Sequence, residues 1–300
     1  MADFSESDRD GALEISEKEK FLLRVSSITD LSVPPVILEQ LLPILSKGAL
    51  PEDFGKSKLL HDPSVVSYFL KKQYELESNR DCVFPGVDAI FRGLSQEEMY
   101  VTLSEMSPMD HFSDEDISEW KHAYSSHLLM HSLVVENGFQ NLYYLVPLML
   151  VHDIGKQALH HLLPESYRKI VSASRERKIP RSSAEQEVLG VTHAEAGAQL
   201  LKEWNFPEPF YYPVYYHHTG KVPGKYVLET ALVQFVNWVD CTVRGIPARP
   251  LNRPMMTAAG IEEIDSEYWI SRHRKTVAEI NTYFEPAGIM NNTSKTDREK

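Results

Sequence analysis

Cysteine is nearly absent: the 300 residues contain two, Cys82 and Cys241. Two thiols that far apart make neither a disulfide framework nor a zinc knuckle, and they suit a reducing compartment. Long apolar runs are missing as well. The richest, within residues 142–151, is too short to span a bilayer, and the first thirty residues hold no apolar stretch of signal-peptide length. A cytoplasmic location with no membrane partner is therefore expected. Positive charge is also short, with 31 Lys and Arg against 43 Asp and Glu, a formal net charge of -12. That deficit argues against general nucleic-acid binding, which rests on neutralising phosphates. An anionic ligand would need a local basic patch or a metal. No alternating strand pattern competes with the helical periods, so the expected fold class is all-α.

Histidine, by contrast, is concentrated: nine of the 12 lie between residues 122 and 218. The chain centres on residues 142–156, LYYLVPLMLVHDIGK, read as a buried apolar helix that delivers His152 and Asp153 to the edge of a core. An imidazole and a carboxylate at such an edge need a partner. A metal ion would serve, provided other helices complete its shell. Ser113 before Asp114-Glu115-Asp116 starts one such helix. It carries a core stripe of Ile117, Trp120, Tyr124 and Leu128, with His122, His127 and His131 alongside. His127 and His131 are four apart, a spacing able to chelate on one face, though two such residues alone are more often at a core edge. Thr192-His193-Ala194-Glu195 has the form of a capping box and sets His193 at the first helical position, where partial positive charge disfavours imidazolium. An aromatic helix then ends in His217-His218, with Gly220 as its cap. A last core helix, Val227 to Arg244 closed by Gly245, places Asp240 near its apolar side. His122, His152, His193, His217 and His218, with Asp153 and Asp240, offer five imidazoles and two carboxylates, which suits a pair of first-row divalent ions bridged by one carboxylate.

The remaining segments are plainer. From Phe21, helical segments over 33–45, over 64–75 and after Phe84-Pro85 carry packing residues. Residues 164–184 reverse the local charge, with Arg168, Lys169, Arg175, Arg177, Lys178 and Arg181 against Glu165 and Glu176. This stretch reads as a solvated loop able to steer an anion. An amphipathic helix is expected over 265–284 through Tyr268, Trp269, Val277, Ile280 and Tyr283. The expected organisation is an acidic disordered tail (1–20), an N-terminal helical subdomain (21–105), a metal-binding helical domain (106–250), a C-terminal helical extension (251–287) and a polar tail (288–300).

Order and spacing add a resemblance. Trp120-Lys121-His122, His152-Asp153-Ile154-Gly155-Lys156, Ala184-Glu185, Leu189-Gly190 through His193 to Gly197, Trp204 to Pro207, His217-His218 and Asp240 are similar to the HD superfamily of metal-dependent phosphohydrolases. The chain resembles more closely the HDOD family of bacterial signalling proteins, relatives of the HD-GYP phosphodiesterases. Leu31 to Pro34 and His61-Asp62-Pro63 extend the similarity over roughly residues 25–245.

The resemblance implies an HD-like helical bundle with an N-terminal helical subdomain and two divalent first-row metal ions. Iron or manganese is favoured, and nickel, cobalt or zinc is compatible. His122, His152, Asp153 and Asp240 would hold one ion; Asp153 would bridge to a second held by His193, His217 and His218. Asp153 and Lys156 would be the catalytic residues. Lys156, Arg175, Arg177, Lys178 and Arg181 would bind the substrate, a phosphorylated small molecule or cyclic nucleotide. Two departures narrow this. The run from His217 to Tyr226 lacks the Glu and Gly-Tyr-Pro of HD-GYP enzymes, which speaks against cyclic di-GMP hydrolysis, and Ser118 stands where a third-metal Glu would be sought. The alternative is a non-catalytic signalling adaptor whose HD half is a scaffold for partner proteins.

Overall fold

The computed structural model describes residues 15–47, 58–76, 79, 82–92, 94–110, 113–220 and 224–284. Five helices form the N-terminal part: α1 (Glu17–Ser26), α2 (Pro35–Ser46), α3 (Pro63–Glu75), α4 (Val87–Phe91) and α5 (Gln96–Ser104). The His-rich part comprises α6 (Asp114–Glu136), α7 (Leu145–Val151), α8 (Ile154–Leu162), α9 (Pro164–Arg177), α10 (Arg181–Leu189), α11 (His193–Glu203), α12 (Glu208–Tyr216) and α13 (Val227–Arg244), and α14 (Arg253–Ala258) and α15 (Ser266–Phe284) complete the chain. The fold is all-α. Among the described residues the sole β feature is an isolated bridge between Val33 and Pro108.

Local chemistry explains most helix starts. Ser16, Ser95, Ser113 and Thr192 each form a capping box, so free first-turn amides find acceptors. Asp62 caps α3 by accepting from the amides of Ser64 (2.9 Å) and Val65 (3.1 Å). Pro35, Pro63 and Pro164 occupy first turns, where the missing N–H costs nothing. Gly190 and Gly245, both at φ 69°, close α10 and α13 in the left-handed region that favours glycine.

Every residue of α7 is buried, and α7 packs against α3, α6 and α13. One hydrophobic cluster runs continuously from Phe21 to Ile280. Trp204 at the end of α11 donates its indole N–H to Ile28 O at 2.9 Å, tying the His-rich helices to the N-terminal ones. Among the described residues no helix is long and apolar enough to cross a membrane.

Three expectations are corrected. The stretch 164–184 is not a loop but α9 and the start of α10. Pro164 and Glu165 suit the first turn of α9, Arg175 and Arg177 its last, and Tyr167, Ile170 and Ser174 supply a buried face, so Arg168, Lys169, Arg175, Arg177 and Lys178 belong to the outer side and end of a helix, while Arg181 opens α10 and is largely buried. The central run is also not one helix reaching into His152-Asp153. α7 stops at Val151, and Asp153 (φ -104°, ψ 14°) begins α8, so the two polar residues occupy the corner between two helices. Of the expected tails 1–20 and 288–300, residues 1–14 and 288–300 lie outside the described residues, as does the side chain of Tyr283, whereas Glu17 to Lys20 are not tail but the first turn of α1, which Ser16 caps.

Candidate metal centre

The corner at His152-Asp153 is set against α11 by two glycines. A Cβ on Gly155 would lie 1.9 Å from the carbonyl oxygen of His193 and 2.5 Å from the amide of Gly197. α8 and α11 therefore touch backbone to backbone, which only glycine permits. This contact brings His193, at the start of α11, beside Asp153. His217 and His218 arrive from the end of α12, and His122 from the middle of α6.

Asp153 divides its two oxygens between two sets of rings. Oδ2 faces His122 Nε2 at 3.4 Å and His152 Nε2 at 3.5 Å. Oδ1 faces His193 Nε2 at 3.1 Å and His217 Nε2 at 3.3 Å. His218 Nε2 lies 2.9 Å from His193 Nε2. Two groups result, His122 with His152 and Asp153, and Asp153 with His193, His217 and His218, each with its ligand atoms within 4.8 Å of one another. Ligands bound at ~2.1 Å and at right angles sit roughly 3 Å apart, so these spacings suit ion-sharing groups.

Four rings are fixed from behind with Nε2 turned inward. His152 Nδ1 donates to Met149 O (2.7 Å) and His217 Nδ1 to Val214 O (2.6 Å). His193 Nδ1 donates to Glu185 Oε2 (2.6 Å), and Glu185 also accepts the His193 amide at 2.8 Å. His122 Nδ1 donates to Asp240 Oδ2 (2.6 Å). Such outer partners set the tautomer and aim a ligand. His152 Nε2, Asp153 Oδ1 and His217 Nε2 are buried without a hydrogen-bond partner. Orphaned polar atoms converging on one point are costly unless a cation joins them. The residues present therefore fit a pair of divalent ions.

Electrostatics agree. Burial pushes His152 down to about 3 and His218 well below its ordinary value, which leaves neutral rings. Burial would lower His122 and His193 too, but Asp153 with Asp240, and Glu185 with Asp153, outweigh it and hold both at about 9. Without metal, the charge of His122 and His193 thus partly balances Asp153, Asp240 and Glu185, and an incoming ion must displace the protons on their Nε2 atoms.

Asp240 is not brought into either group. Its Oδ2 accepts from His122 and from Arg244 Nε (2.9 Å); its Oδ1 accepts from His273 Nε2 (2.6 Å) and bonds to the Ser125 hydroxyl. Four bonds saturate a carboxylate, so Asp240 aligns His122 rather than offering a free oxygen. His273, on α15, had no sequence signal beyond being a lone His on an amphipathic helix. Glu185, eight residues before His193, was visible in the motif but without a role.

A cavity of about 230 Å3 opens above the centre. Lys156 reaches it but is gripped by Asp153 Oδ2 (2.7 Å) and Glu119 Oε2 (2.6 Å). Despite its burial, Lys156 and Arg181 hold the Glu119 carboxyl down at about 2. Arg175 and Arg181 line the same cavity, both ion-paired with Glu115. Arg177 pairs with Glu187 at the surface and Lys178 ends α9 exposed; neither lines the cavity. His127 stands apart, donating to Val146 O at 2.9 Å, and His131 packs against Tyr143.

Residues 99–220 match the family model of the HDOD domain. An uncharacterised protein of Treponema pallidum (strain Nichols) is 33% identical over 89 residues, which are 29% of this chain and only 17% of that protein. Three solved structures share the fold. The MmoQ response regulator from Methylococcus capsulatus str. Bath is 16% identical with a TM-score of 0.59, over 82% of this chain and 99% of that one. An HDOD domain protein from Geobacter sulfurreducens is 19% identical with a TM-score of 0.52, over 90% and 98%. A virulence factor from Campylobacter jejuni subsp. jejuni is 15% identical with a TM-score of 0.63, over 88% and 100%. At these identities the likeness is one of fold.

Proposed function

We propose that this chain, which carries an HDOD domain, is a signalling protein with a two-metal phosphoesterase centre. The observation that carries this is the carboxylate of Asp153, whose two oxygens face two separate sets of imidazoles. Divalent ions held there, with iron or manganese favoured and nickel, cobalt or zinc compatible, would supply Lewis acidity, acidifying water near neutral pH and offsetting charge on a phosphoryl group. In this reading His122, His152 and Asp153 hold one ion, and Asp153, His193, His217 and His218 the other. Asp240 positions His122 from behind. Lys156 and Arg181, on the cavity wall, give the phosphoryl oxygens a positive surface once the ligand competes for the carboxylates that now pair with them. The helices over 21–105 share the core and would face signalling partners.

Elemental analysis of protein purified without chelators or a histidine tag tests the centre. About two equivalents per chain, lost in Asp153→Ala, is the expected result; equal metal in both proteins would overturn it. A screen of phosphoesters and cyclic nucleotides with the loaded protein then tests turnover.

One observation favours a second reading. Lys156, Arg175 and Arg181 are all neutralised by Glu115, Glu119 or Asp153, as in a structural network. A non-catalytic adaptor with a stabilising metal core would show the same metal content and no turnover.

A further inference from the structure

The two oxygens of Asp153 are not equivalent. Oδ1 is buried with no hydrogen-bond partner, and among the described residues its ion-pair contacts are with imidazoles alone, His193 Nε2 at 3.1 Å and His217 Nε2 at 3.3 Å. Oδ2 carries the ammonium of Lys156 at 2.7 Å, closer than either of its own imidazoles, at 3.4 and 3.5 Å. The donor sets differ as well. His193, His217 and His218 stand around Oδ1, but only His122 and His152 around Oδ2. Asp240 would have evened the count, yet its oxygens are taken up by His122, Arg244, His273 and Ser125. A site with fewer donors holds an ion less tightly.

The ammonium widens that difference. A lysine nitrogen on a carboxylate oxygen makes a charge-assisted hydrogen bond, which an ion approaching the same oxygen must break or bear. If it is borne, two cations share one oxygen in a buried site, where low dielectric strengthens their repulsion. If it is broken, Lys156 has a second holder. Its Nζ donates to Glu119 Oε2 at 2.6 Å, and the other oxygen of Glu119 lies 3.5 Å from Arg181 Nη1. Lys156 can therefore release Oδ2 and keep a carboxylate partner. Oδ1 has no such competitor, since among the described residues neither Lys nor Arg pairs with it.

We propose that the two ions bind unequally and in order, which makes the centre a sensor of free divalent metal. The set of His193, His217 and His218 fills first and keeps its ion. The set of His122 and His152 exchanges its ion with the solution, with Lys156 as a tethered competitor and Glu119 as the place to which that competitor withdraws. Two equal sites would fill together; unequal ones let the second occupancy follow the level of free metal. The inference rests on the two-metal reading above and adds to it the order of filling and the residues that set it.

The test uses the full chain, stripped of metal and titrated with manganese alone. Equilibrium dialysis counts the bound ions, and electron paramagnetic resonance separates a lone Mn2+ from a coupled pair. Two steps are expected, the second weaker by about tenfold or more, the scale of a lost charge-assisted hydrogen bond, with the coupled signal growing only in the second. His152→Gln should remove the second step and spare the first. Lys156→Met should strengthen the second step by about tenfold while moving the first far less. Glu119→Gln, which takes away the other holder of Lys156, should weaken the second step, and that effect should vanish in the double variant with Lys156→Met. Two steps of equal affinity, or a second step that Lys156→Met leaves unmoved, would overturn the proposal while the two-metal reading stands. One ion in the wild type but two in Lys156→Met would establish the competitor and remove the two-metal reading for the native chain. No manganese on either protein would overturn both.

Discussion

His127 shows at the residue scale how one sequence signal divides into separate physical roles. It shares a helix and a chelating spacing with His131, yet burial holds it neutral, down at about 3, with its Nδ1 donating to Val146 O. The unfolded chain takes up a proton near the ordinary 6.5, while the native state refuses it until about 3. Between those limits the unfolded state binds more protons, so stability falls as pH falls. The expected contribution is about 1.4 kcal/mol per pH unit over most of that window. His127→Gln keeps a donor for Val146 but cannot titrate. Urea denaturation at successive pH values from 6.5 to 4.5 should therefore show a slope shallower by one proton; an unchanged slope would mean that His127 protonates freely in the native state.

Two contacts between helices decide the site at the element scale. The first is the backbone approach of α8 to α11 at Gly155. Gly155→Ala would force a Cβ to 1.9 Å from His193 O, and no rotamer relieves a backbone clash. A loss of about 3 kcal/mol or more is expected, as for severe overpacking, read as a fall in denaturation midpoint. Native stability in that variant would mean the helices do not meet there. The second is α15, whose His273 grips Asp240, which in turn aims His122. His273→Ala should lower metal affinity, by less than the roughly 10- to 100-fold usual for removing a ligand's own outer partner because it acts on His122 through Asp240, with helix content unchanged. Calorimetric titration with manganese measures it, and wild-type affinity would reduce α15 to packing.

For the whole molecule, the candidate metal centre lies where α6, α8, α11, α12 and the corner after α7 converge on one continuous core. Ions bound only by the native arrangement should stabilise all of it. Loading at a hundredfold excess over Kd should add about 2.7 kcal/mol for each ion bound and raise Tm by roughly 4 °C per ion for a chain of this size. A chelator should reverse the shift, and Asp153→Ala should show none. A shift of equal size in that variant would place the ions elsewhere.

The sequence alone determined the local features. Caps at Ser113 and Thr192, the Gly245 stop, the aromatic helix ending in His217-His218 and the all-α class all follow from interactions within a few residues, which spacing and residue type record. It also named the imidazoles of both groups and the carboxylate between them, because their order along the chain carries a family pattern. Only the tertiary structure decided which polar atoms face inward. Asp240 was expected as a ligand from the family pattern and from its place near an apolar helix face, whereas here its oxygens are taken up by His122, Arg244, His273 and Ser125, and three of those partners stand on two other helices. The basic run at 168–181 looked like an anion funnel, but pairing with Glu115, Glu119 and Glu187 consumes Arg175, Arg177 and Arg181. Charge balance at a site is a sum over groups distant in sequence, so no local window contains it.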